Sequence, residues 1–149
     1  MSEEYAKLAK KYDLPSFQVL DEEFHISFPE DEPILIHVRR QITEKISIFS
    51  DFLEGIMHPD TSIAGLHEAS SFNEEEMQEI LDLYRVLKYL ERESLHTALF
   101  DSEKNNAQYI IRAFKLWHEY KERVSKILTK AKDSWSKPLK KIQETHFFL

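Results

Sequence analysis

The sequence predicts an all-α protein, an antiparallel bundle of three long helices with two short N-terminal helices packed across it. Three observations lead there. Glycine is nearly absent, two residues in 149 against a usual share of ~7%. Five prolines punctuate long uninterrupted stretches whose apolar residues recur at three- and four-residue spacing. Runs of strict polar–apolar alternation, the mark of a half-buried strand, are missing.

The elements follow in order. Glu3 to Tyr12 is a short helix with Tyr5, Leu8 and Ala9 as its apolar side. Asp13-Leu-Pro-Ser is a turn, and Pro15 or Ser16 starts a second short helix, Phe17 to Phe24. His25 to Glu32 is acidic and proline-broken and reads as a loop, with room for a brief extended piece at Ile26–Phe28. Pro33 opens a long helix to about Met57, with a stripe of Ile34, Val38, Ile42, Ile46, Phe49, Phe52, Leu53 and Ile56. Gly55 is placed to cap its end, and Pro59 prevents continuation. His58 to Phe72 reads as the longest irregular segment, docked by Ile63, Leu66 and Phe72.

Asn73 to Phe100 is the central helix. Asn73 is a capping residue with Glu76 at the capping-box position, and Glu74 and Glu75 add charge that suits the helix dipole. Met77, Ile80, Leu81, Tyr84, Leu87, Leu95, Ala98 and Leu99 form a stripe that Leu83, Val86, Tyr89 and Leu90 widen. A helix this apolar is expected to be covered on more than one side. After a break at Asp101-Ser102, a last helix runs from Glu103 to about Ser134. Its stripe extends from Tyr109 to Trp135, and Arg112, Lys115, Glu119, Glu122, Lys126 and Lys130 form its solvated face. Pro138 stops it. The expected organisation is one domain over 1–138 and a loose tail over 139–149.

Composition narrows the function classes. There is no cysteine, which excludes disulfides, thiolate metal sites and thiol nucleophiles. Two glycines exclude GxGxxG and Walker-type phosphate loops. No apolar run approaches the ~20 residues of a membrane span, and the N-terminus lacks a signal-peptide core. A soluble cytoplasmic protein is the expectation. The net charge of −7 conceals a gradient: residues 1–32 carry nine acids against three bases, and residues 103–149 five acids against eleven bases. Either the two ends lie against each other or the basic end meets an anionic partner. Overall acidity disfavours a dedicated nucleic-acid binder.

The segments KYDLPSFQVLDEEF and HPDTSIAGLHEASSFNEEEMQEILDLYRVLKYLERESL resemble a set of small uncharacterised archaeal helical proteins. In these a KYxLP turn, a PDT-type loop and a LYRxLxYLxR helix recur. The resemblance covers most of the chain and implies no activity.

Several residues invite chemistry. Glu91 falls within the apolar stripe and needs a partner. Lys88 lies beside it, and Lys45 on the preceding long helix is placed to form a structural ion pair with it. The alternative is a functional carboxylate in a cleft. Glu93 and His96 have ExxH metal-ligand spacing, but the motif occurs once. His58, Asp60, His67 and Glu68 bracket the long loop and are ligand types that suit zinc, although ordinary loop polarity explains them more simply. His37, Arg39 and Arg40 read as a salt-bridged helix start or an anion clamp. Trp135 at the end of the basic helix offers base stacking or a core contact. In the tail, Lys140, Lys141, Phe147, Phe148 and Leu149 are candidate partner contacts.

With no catalytic motif and no cofactor loop, no cofactor or dedicated metal is expected. The broad apolar helix surface exceeds what one bundle covers. The function expected is therefore a non-catalytic helical protein–protein interaction or adaptor module, binding a protein partner or itself and no membrane. The alternatives are a metal-dependent or carboxylate-using enzyme at the 58–68 loop, or an RNA- or ribosome-associated factor using the basic C-terminal helix.

Overall fold

The computed structural model describes residues 2–28 and 33–139. The tail contacts expected of Lys140, Lys141, Phe147, Phe148 and Leu149 lie outside the described residues. Those residues form six helices and no strand: α1 (Ser2–Tyr12), α2 (Phe17–Phe24), α3 (Ile34–Met57), α4 (Ile63–Ser70), α5 (Glu74–Leu99) and α6 (Glu103–Ser134). No helix among them is long and apolar enough to cross a membrane.

Local chemistry sets most boundaries. The Ser16 side chain accepts from the Val19 amide and caps α2. Pro33 precedes α3. Asn73 and Glu76 make both bonds of a capping box at the start of α5, and Ser102 accepts from the Asn105 amide at the start of α6. Asp13 and His25 adopt positive φ, 57° and 53°, to end the two short helices, a conformation usually left to glycine. Gly55 does not end α3. It lies inside the helix, and His58 is the residue at the C-cap. The segment expected to be irregular holds α4, capped by Ser62, whose hydroxyl accepts from the Gly65 amide. Of its three docking residues Phe72 is buried, whereas Ile63 is half exposed.

Long-range pairs give the directions of the bundle. Thr43 meets Ser94 and Ser47 meets Glu91, so α3 and α5 run antiparallel. Glu76 and Glu79 on α5 meet Lys130 and Arg123 on α6, so these two are antiparallel as well. Ile42, Ile46 and Leu53 of α3, Ile80, Leu83, Leu87 and Leu90 of α5, and Ala107, Ile110 and Ala113 of α6 form the fully buried centre. Each large aliphatic side chain buried there contributes ~1.5–3 kcal/mol. The short helices close one side. Tyr5 donates to the Pro15 carbonyl at 2.6 Å, Lys11 reaches Glu103 of α6 at 3.1 Å, and Glu23 of α2 accepts from Trp117 Nε1 at 2.6 Å.

Part of the charge gradient along the chain is taken up internally. Lys121 lies 3.0 Å from Glu23, Arg123 2.6 Å from Glu79 and Lys130 2.5 Å from Glu76. Each joins the basic last helix to an acid nearer the N-terminus.

Candidate functional site

The outer face of α5 is where the structure departs most from expectation. Its core side is apolar in the first half, with Ile80, Leu83, Leu87 and Leu90 buried. In the last three turns the buried positions become polar: Glu91, Ser94 and Thr97 are 8%, 4% and 8% exposed. Over the same turns Leu95 and Leu99 point outward at 61% and 76% exposure, followed by Phe100 at 65%. Leu81 and Tyr89 extend this surface toward the N-terminal half at 50% and 58%. The stripe expected to be covered on several sides is thus covered on one. An amphipathic helix normally has the opposite arrangement.

Glu91, Ser94 and Thr97 all have partners. Glu91 accepts from Ser47 and, at 3.3 Å, from Ser50, and Lys88 Nζ lies 2.9 Å away. Burial pushes the Glu91 carboxyl up, but the Ser47 hydrogen bond, the Lys88 charge and the Ser50 hydrogen bond outweigh it and hold the group below its ordinary value. Lys45, expected to pair with Glu91, pairs instead with Glu23 at 3.8 Å and donates to the Glu23 carbonyl oxygen. Its ammonium lies 5.3 Å from the Phe24 ring centre and 5.7 Å from that of Trp117. The helix α2 supplies this second acid, and a two-helix comparison omits it. Arg39, placed by sequence in a salt-bridged helix start or an anion clamp, turns into the core. It donates to Asn106 Oδ1 at 2.7 Å and to the Ser94 hydroxyl at 2.9 Å, and is only 6% exposed. Thr97 donates to the Glu93 carbonyl at 2.9 Å.

The outward face spans about 27 Å from Leu81 to Leu99 at 1.5 Å per residue. Arg85, Arg92 and His96 are exposed along it, and the His96 ring lies 5.7 Å from that of Phe100. Glu74, Glu75 and Asp82 place negative charge near its start, and Arg85, Arg92 and Lys88, the last paired with Glu91, place positive charge along its middle. The arrangement of apolar side chains with an aromatic ring and arginines suits protein recognition.

The remaining sequence candidates are dispersed. His58, Asp60 and Glu68 line a shallow depression of about 300 Å³ between the end of α3 and α4. The Asp60 carboxylate is occupied in a turn, accepting from the Ser62 amide at 3.1 Å and from its hydroxyl. His67 points elsewhere, with Nε2 2.9 Å from the Ser134 carbonyl and its ring 4.4 Å from Trp135. Glu93 pairs with Arg112 of α6, away from His96. Among the described residues no group of three or more His, Asp or Glu side chains is placed to hold a metal ion. Trp135 is 42% exposed and donates to Glu68 at 3.0 Å, so it ties α4 to the end of α6 and is not a core residue.

No protein-family model matches the chain, and no curated protein or solved structure is significantly similar to it.

Proposed function

We propose that the chain is a non-catalytic helical module that works by binding protein through the outer face of α5. The observation that supports this reading is the inversion in its last three turns, with Glu91, Ser94 and Thr97 inside and Leu95 and Leu99 outside. A helix serving only the bundle gains by exchanging the two sets. Burial of a leucine side chain contributes ~1.5–3 kcal/mol, and a buried carboxylate needs compensation. Contiguous exposed apolar surface on a small domain marks a contact site. Tyrosine and arginine, both present on this face, are the residue types that dominate binding energy in protein interfaces.

The test is the triple substitution Leu81→Ser, Leu95→Ser and Leu99→Ser in the full chain. These side chains are 50–76% exposed, so each change is expected to alter stability by no more than about 0.5 kcal/mol. Association with protein, self-association included, is expected to be lost. If the variant melts like the wild type and retains the same associations, the face is not the binding site.

A further inference from the structure

We infer that the occupant of this face is a second copy of the chain, with the two α5 helices antiparallel about a twofold axis near Leu87 and Lys88. The inference rests on the protein-binding reading above and names the partner. Its warrant is that Asp82 lies on the N-terminal side of that axis and Arg92 on its C-terminal side, with Arg85 and Lys88 beside it, so that acid meets base only when the helices are antiparallel. A twofold axis perpendicular to the helix makes every contact occur twice with the two ends exchanged. Asp82 then faces Arg92 of the second copy, Arg85 faces the ring of Tyr89, and Leu81 meets Leu95. Parallel pairing sets Asp82 on Asp82 and Arg92 on Arg92, which repels.

A standard interface buries ~800 Å² per partner, and this pairing is built on a single helix face. The dimer should therefore exchange with monomer as concentration changes.

The test is sedimentation velocity on the full chain from low-micromolar to near-millimolar concentration, with circular dichroism to verify folding. Wild type is expected to shift from monomer to dimer. Asp82→Arg alone and Arg92→Asp alone should each weaken the dimer by about tenfold or more, because the repulsion is repeated by symmetry. The double variant, which re-forms the pair with its signs exchanged, should recover most of that loss. A monomeric wild type, or a dimer indifferent to these charges, overturns the inference. So does a chain that dimerises only when residues 140–149 are deleted, because the tail is then the occupant. If the wild type is monomeric but the triple serine variant still loses protein association, self-pairing fails and the protein-binding reading stands.

Discussion

Replacing Glu91 with alanine isolates the buried polar group on which the inversion of α5 depends. The carboxylate is 8% exposed and holds Ser47, Ser50 and Lys88. Alanine leaves a void and strips Ser50, which is fully buried, of its acceptor. Hydrogen bonds to a charged group are worth ~1.5–3 kcal/mol each, offset by the desolvation the carboxylate no longer suffers. The Lys88 side chain is 31% exposed and can be rehydrated, so the cost falls below that of breaking a fully buried pair. We expect about 2–4 kcal/mol, or roughly 5–15 °C in melting temperature for a chain of this length. Glu91→Leu, which fills the space but likewise leaves Ser50 without its acceptor, should cost about 1 kcal/mol less than alanine.

The pH dependence has a definite sign. The folded carboxyl is held below its ordinary value, so its stabilisation is present above the unfolded pKa of ~4.3 and is lost as pH falls through the lower folded value. Urea unfolding should show the full alanine penalty at pH 7 and a smaller one as pH falls below the ordinary carboxylate range. A double-mutant cycle should couple Glu91 to Lys88 and leave it uncoupled from Lys45. Equal cost for alanine and leucine at every pH, or coupling to Lys45, would refute the reasoning.

Asn73→Ala should remove one half of the capping box at the start of α5 and cost about 1 kcal/mol; an unchanged urea midpoint would show that the box contributes nothing. Glu23→Gln should weaken the hold of α2 on α6, since Glu23 receives Trp117, Lys121 and Lys45. Burial raises the Glu23 carboxyl, but the Trp117 and Lys121 hydrogen bonds and the nearby charges bring it below its ordinary value, so this hold too is lost toward acid pH. Faster amide exchange confined to 17–24 is the expected readout, and exchange identical to wild type would contradict it.

What the sequence discloses is governed by how local the determining physics is. Caps act over three or four residues, so Ser16, Pro33 and Asn73 with Glu76 mark their boundaries directly. The helix α4 was hidden because eight residues containing Gly65 carry too little periodicity, although Ser62 supplied a capping signal. Lys45 was misassigned because a helical wheel gives direction and not neighbours. Its acid is Glu23, 22 residues earlier on a separate helix. The exposure of α5 is the deepest case. Hydropathy shows that Leu95 and Leu99 are apolar, but only the packing of α3 and α6 decides that Glu91 and Ser94 are the residues buried.

The most direct test of the proposed protein-binding face is a photo-crosslinking side chain placed at Leu95, with Lys115 on the solvated face of α6 as the control. Both positions are exposed, so both probes should be tolerated without loss of folding. The account predicts protein adducts at position 95, a crosslinked pair of chains among them, and none above background at 115. Equal adduct yields at the two positions, or none at 95, would contradict it.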